Sequence, residues 1–403
     1  MEISVIIVVV IVTALAFDFT NGFHDTANAV ATSIATGALK PRTAVLMAGI
    51  LNLVGAFLSV QVAKTISSGL VDEAQITPTV IFAGLVGAIV WNLLTWLLGL
   101  PSSSSHALIG GLIGATWVAA GADAVKFASL VGKVLLPAVL APIIAGVIAL
   151  IATYLAYRIT ARGAKGTVTK GFKLGQIVSA SMVSLAHGTN DAQKTMGVIT
   201  LTLIIAGVQS PSQTAPELWV ILACGITIAL GTYMGGWRII RTLGKGLTDV
   251  KPAQGFSAES STAATILSSS ALGFALSTTQ VASGSVIGSG LGRRGATVRW
   301  RTAGRIMVGW LFTLPASAAV GGVMAVMVAW LGGWGILIDA VFAVVVILTI
   351  FLLSRRNAVT AANAMSEVAE SGTAVKVTRN PPPTRRQRAA VRDEARREKE
   401  GSK

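Results

Sequence analysis

Long apolar runs, separated by short polar stretches, recur along the chain as far as Ser354 and then stop. Several of these runs exceed the roughly 20 residues that an α-helix needs to cross a bilayer core. The pattern therefore predicts an all-α, polytopic bundle of membrane helices. The opening run, Met1 to Phe17, has no basic leader and no small-residue cleavage site, so it reads as a retained first helix rather than a signal peptide. A basic connection over residues 158–173 splits the pattern. Residues 1–157 form a first transmembrane repeat, 158–173 a cytoplasmic linker and 174–353 a second repeat. Residues 354–403 are polar, highly charged and Pro-containing, a composition that predicts disorder.

Composition supports the membrane reading. The 403 residues are 53% hydrophobic and 12% charged, whereas soluble domains carry about 25% charged residues. The 43 glycines suit close helix approach and interrupted helices. The net charge of +15 does not describe a nucleic-acid surface, because much of the excess lies in the tail, where it suits anionic lipid head groups. A single cysteine, Cys224, excludes an intrachain disulfide framework and reads as apolar filler.

Charge bias also orients the chain. Basic residues cluster at Lys40/Arg42, Arg158–Lys173, Arg238–Lys251, Arg293–Arg305 and in the tail, while the connections Val71–Pro78 and Val208–Glu217 carry acids and no basic residue. The positive-inside rule places the basic set in the cytoplasm. Segment Ile3–Leu39 then runs inward and Leu174–Gly207 outward. Both exceed one crossing and carry Gly and polar residues midway, which predicts tilted or broken helices in two inverted-topology repeats.

Each of those segments carries one copy of a polar motif: Asn21-Gly22-Phe23-His24-Asp25-Thr26-Ala27-Asn28, and His187-Gly188-Thr189-Asn190-Asp191-Ala192-Gln193-Lys194. Carboxylates in such surroundings are costly unless they bind or move something. Asp25 and Asp191, with Asn28 and Asn190, offer hard oxygen ligands for a small cation or a place for a proton. Helix capping and interhelical pairing are the plainer roles. Asp18 and His24 are further titratable groups in the same setting, and all three histidines, His24, His106 and His187, fall within these patterns. A second duplicated feature follows in each half. Pro101-Ser102-Ser103-Ser104-Ser105-His106 precedes one Gly-rich apolar run, and Ser277-Thr278-Thr279-Gln280 precedes another. Ser103, Ser104 and Ser105 could face Ser277, Thr278 and Thr279 across a tetrahedral oxyanion, helped by free N–H groups at a helix start, although hydroxyls also pack between membrane helices without a ligand. The copies differ at one informative place: Lys194 stands opposite Asn28, a fixed cation where its counterpart could help hold a mobile one. No nucleophile elbow or HExxH pattern is present, which argues against an intramembrane hydrolase. Neither a cofactor nor a resident metal is expected.

These residues resemble the inorganic phosphate transporter (Pit/PiT) family over nearly the whole membrane portion. NGFHDTANAVAT and AHGTNDAQKTMG are similar to its two signature segments, and GLPSSSSHALIGG and ALSTTQVASGSVIG to its two hydroxyl-rich, re-entrant-like hairpins. The resemblance implies an inverted-repeat, multi-pass transporter of the inner (plasma) membrane that carries orthophosphate with a coupling cation, as a homodimer. It also implies that Asp25, Asn28 and Asp191 lie at the ion and phosphate site, with the hydroxyl clusters on the anion. Sodium-coupled members show an AND-x-A-N pattern in both halves. Here His24 precedes Asp25, and Gln193-Lys194 stand where Ala-Asn would, which resembles the proton-coupled bacterial branch that can take phosphate as a metal complex. Gln280 stands where the family has a histidine, as at His106.

Overall fold

The computed structural model describes residues 4–355 and Thr360; all but Ser354, Arg355 and Thr360 of the tail lie outside the described residues. In chain order the helices are α1 (Val5–Ala35), α2 (Pro41–Gly55), α3 (Gln61–Gly69), α4 (Pro78–Leu97), α5 (Ser104–Ala120), α6 (Phe127–Leu130), α7 (Leu136–Ile159) and α8 (Lys165–His187). They continue as α9 (Gln193–Ile205), α10 (Leu218–Met234), α11 (Trp237–Lys245), α12 (Pro252–Ala271), α13 (Thr278–Leu291), α14 (Trp300–Leu331) and α15 (Gly333–Arg355). Among the described residues the only β pairing is two isolated bridges, Val71 with Val125 and Thr248 with Val298. The chain is an all-α protein of the membrane type. Among the described residues, five helices are long and apolar enough to cross a bilayer, or six if α10 and α11 count as one bent span.

α1 lies at the centre of the bundle and packs on α2, α4, α8, α9, α10 and α11. From Ala27 to Ala35 every side chain is buried, the pattern of a helix enclosed on all faces. Its 31 residues make it about 46 Å long at 1.5 Å per residue, well beyond the roughly 30 Å hydrocarbon core. The polar motif does not break it. Thr20 and Thr26 turn their hydroxyls back onto the carbonyls of Phe17 and Gly22, each at 2.7 Å, so the polar side chains are satisfied without opening the backbone ladder.

The second motif is interrupted in a milder way than a full break. A π-helical turn, Gly188–Ala192, joins α8 to α9 and carries Asn190 and Asp191. The extra residue in that turn rotates the following side chains, and such bulges concentrate at functional sites. A sharper discontinuity falls elsewhere: α10 and α11 meet at 69°, where Gly235 adopts a φ of 74° that a side chain would disfavour.

α5 and α13 are the other informative elements. With 17 and 14 residues, each is shorter than the roughly 20 residues of a full crossing. Both are nevertheless buried through most of their length, and each begins inside the protein after a tight connection from α4 or α12. Close backbone packing holds them there. α13 lies on α7 through Gly284 and Gly288, whose missing Cβ atoms would strike the carbonyl oxygens of Pro142 and Gly146. α5 meets α4 and α14 in the same way, through Gly111, Gly84 and Gly321.

This packing makes a direct prediction. Gly288→Val should lower the thermal unfolding temperature of the purified protein, with an overpacking cost of about 1–3 kcal/mol or more. Gly309→Ala, whose added methyl meets open space, should not lower it, since Ala is the better helix former. Equal unfolding temperatures for the two variants would refute the close-packing account.

Candidate functional site

The N-termini of α5 and α13 meet the two motif segments at one buried centre. At each helix start a serine acts as N-cap: Ser103 Oγ accepts from His106 N at 3.1 Å, and Ser277 Oγ accepts from Gln280 N at 3.3 Å. The amides of the next two residues, Ser104 and Ser105 or Thr278 and Thr279, are the first N–H groups of their helices and have no carbonyl within the helix to bond. Both ends therefore present partial positive charge to the same volume.

The two carboxylates sit against those ends. Asp25 accepts from Ser104 Oγ at 2.7 Å and from Thr278 Oγ1 and Thr279 Oγ1 at 3.2 Å each. Asp191 accepts from Thr278 Oγ1 at 2.9 Å and from Asn190 Nδ2 at 2.9 Å. Thr278 thus bridges the two acids. Asn28 Nδ2 donates to Thr279 Oγ1 at 3.0 Å, and Asn190 Nδ2 also reaches Leu276 O at 3.0 Å. Every one of these side chains is buried.

Cations and histidines complete the centre. Lys194 is held by Asp191, by Ser105 Oγ at 2.5 Å and by Leu276 O at 2.9 Å, with almost no solvent exposure. His187 Nε2 lies 2.8 Å from Asp191 Oδ2, and His24 Nδ1 lies 2.6 Å from Asp25 Oδ1. The far nitrogen of His24 contacts Thr95 Oγ1 at 3.2 Å and Ser102 Oγ at 3.3 Å. Each acid therefore has a neighbouring imidazole, and only Asp191 has an ammonium. Asp25, His187 and Asp191 offer ligand atoms within 4.8 Å of one another, a donor set that suits a divalent cation.

Of the residues the sequence singled out, Asp25, Asn28, Asn190, Asp191, Lys194, His24, Ser104, Ser105, Thr278 and Thr279 join in this one hydrogen-bonded network. Ser103 and Ser277 bind their own helix starts instead. Asp18 stands apart from the network, fully buried and bonded to Thr195 Oγ1 at 2.9 Å. His106 and Gln280, at corresponding places in the first turns of α5 and α13, approach each other at 3.5 Å.

His187, one of the three histidines within the motifs, lies four residues before Asp191, the spacing that puts side chains on one helix face. Glu259 is a lone acid in the otherwise apolar and hydroxyl-rich α12. It is buried and accepts from Thr32 at 2.6 Å, Ser33 at 2.5 Å, Ser179 at 2.6 Å and Gln176 at 3.2 Å.

The model of the phosphate transporter family matches residues 21–321, a range that contains both motif segments and both hydroxyl hairpins. This chain belongs to that family. It is a transporter and not an enzyme. It is 57% identical over 352 residues to the "probable low-affinity inorganic phosphate transporter" of Mycobacterium bovis, an alignment that covers 87% of this chain and 84% of the relative. The protein of the same description from Bacillus subtilis is 43% identical over 321 residues, covering 79% of this transporter and 96% of the relative. A solved structure titled "The sodium-dependent phosphate transporter" superposes with a TM-score of 0.73 at 24% identity, over 81% of this chain and 100% of that one. It shares the fold.

The buried ion pair at the site has a testable energetic signature. Lys194→Met leaves Asp191 without its ammonium and should cost about 3–5 kcal/mol of stability. Adding Asp191→Asn should recover most of that loss without restoring transport. Thermal unfolding in detergent measures both. A single variant as stable as the parent would exclude a structural role for the pair.

Proposed function

We propose that this transporter imports inorganic phosphate by symport with protons across the inner (plasma) membrane, its basic connections and tail in the cytoplasm. The phosphate assignment follows the family and its named relatives. The observation that carries the mechanism is the sharing of donors. Ser104, Thr278 and Thr279 donate to the Asp25 and Asp191 carboxylates, yet the same hydroxyls, with the first amides of α5 and α13, are the donors that a tetrahedral oxyanion needs.

Protonation resolves that competition. A carboxylate is acceptor-only, whereas a carboxylic acid donates as well. A proton on Asp25 weakens its hold on the hydroxyls, frees them for phosphate and removes a negative charge that would repel the anion. Anion and proton then bind favourably together and unfavourably apart. That is the requirement for symport.

The identity of the cation turns on the difference between the two halves. Lys194 already supplies Asp191 with a fixed ammonium, leaving Asp25 as the carboxylate for a mobile charge, and His24 Nδ1 lies 2.6 Å from it. Asn28 and Asn190 belong to the same network, while Asp18, two turns before Asp25 on α1, is a further acid that could take the proton before it reaches the centre. Thr32 and Ser33, which hold Glu259, lie about 12 Å further along α1 than Asp25 at 1.5 Å per residue. Glu259 is then a second station for the proton on its way to the basic side. Two inverted repeats rocking about the shared centre would expose it alternately to each side. A second reading, entry of phosphate as a neutral metal complex, is favoured by the clustering of Asp25, His187 and Asp191, with the metal travelling as cargo.

Uptake of labelled phosphate into proteoliposomes, under separately imposed pH and Na+ gradients, tests the assignment. An inward proton gradient should drive accumulation without sodium. Accumulation driven by sodium at constant pH would overturn the proton assignment, and preference for sulfate would overturn the substrate. Asp25→Asn should reduce concentrative uptake to background while the protein still inserts. Undiminished accumulation by that variant would remove Asp25 from the coupling mechanism.

A further inference from the structure

Behind the hydroxyl hairpins, on the outer surface of the bundle, α7, α13 and α14 enclose a groove of about 660 Å³. Its walls are almost wholly apolar. Val139 and Ile143 of α7, Leu291 at the end of α13, and Met307 and Leu311 of α14 line it and are exposed. Its inner end is different, because His106 and Gln280 form the floor. These are first-turn residues of α5 and α13, so the groove ends on the back of the two helix starts that build the central site. Trp310, also in the lining, donates Nε1 to Pro101 O at 3.1 Å and so holds the connection that carries Ser102–Ser105.

The dimensions suit one class of occupant. Along α13 the lining runs from Gln280 to Leu291, about 16 Å at 1.5 Å per residue, which matches one leaflet of a hydrocarbon core roughly 30 Å thick. The outer mouth is basic and aromatic. Arg158 lies near the end of α7, about 12 Å beyond the last lining residue of that helix, Leu150, at 1.5 Å per residue; Arg294 follows α13, and Trp300 opens α14; all three are exposed. Arginines at the mouth of a cleft between membrane helices attract lipid phosphates, and tryptophan favours the interfacial level.

We infer that this groove is a binding site for an anionic phospholipid, with an acyl chain between α7, α13 and α14 and the head group against Arg158 and Arg294. The bound lipid braces both hairpins from behind, which links the head-group composition of the membrane to the site without any contact with the transported ions. The site is independent of which cation drives transport.

Native mass spectrometry of the full-length protein, extracted from vesicles of phosphatidylglycerol with phosphatidylcholine, tests this directly. The parent should retain phosphatidylglycerol in preference to phosphatidylcholine. Arg158→Gln with Arg294→Gln should reduce that preference roughly 25-fold, because each basic side chain near a lipid surface contributes about fivefold to binding. Ala138→Trp, which fills the groove from α7, should abolish retention. Retention indifferent to the head group would overturn the inference. So would retention unchanged in Ala138→Trp, and if that variant also turned a dimer into a monomer, the groove would belong to a second copy of the chain.

Discussion

The structure depends on the cost of keeping two carboxylates away from water. Asp25 and Asp191 lie in the interior of a membrane bundle, where an ionised acid without partners would be costly enough to unfold or neutralise it. Their surroundings are organised to prevent this. Two half-length helices start against them, hydroxyls from both hairpins donate to them, an imidazole lies beside each, and a buried ammonium balances one. The glycines that let α5 and α13 pack backbone against backbone matter for the same reason, since they keep those helix starts at the centre.

The same arrangement explains how stability and transport share one set of groups. In the closed arrangement, with every member of the network buried, the carboxylates occupy donors that also suit an oxyanion. On the proposed mechanism, a transported anion competes with the protein's own acids, and a cation that quiets one acid lets the anion bind. Coupling would then need no separate device, because it would follow from a limited number of hydroxyl and amide donors in a dry centre.

The two halves are not equivalent. Near-duplicate sequences produce different local backbones: α1 passes through its motif unbroken, while the corresponding segment carries a π turn and a lysine. Lys194 binds Asp191, Ser105 and Leu276 O, which span the second motif and both hairpins. It fastens the halves together where a mobile ion could otherwise sit. Glu259 has the opposite character. Four donors hold it, none of them charged.

Much of this was legible in the sequence. Apolar runs determine membrane helices because a bilayer leaves backbone groups no partner outside the helix, and duplicated acids and hydroxyls in apolar surroundings mark the residues that must find one another. Asp25, Asp191, Ser104, Ser105, Thr278 and Thr279 could be named from pattern alone. What each of them binds could not. Whether a serine caps its helix, as Ser103 does, or reaches an acid, as Ser104 does, depends on a rotation of about 100° between successive helical residues and on where the next helix lies. His187 faces Asp191 through local spacing, but the meeting of Glu259 with Thr32, Ser33, Gln176 and Ser179 joins three distant helices. Such contacts are set by the crossing of helices, which hydrophobic patterning specifies only loosely. The sequence by itself determined which groups are too costly to leave alone; the tertiary structure decided which partner relieves each, because partners are chosen by geometry and not by chemistry alone.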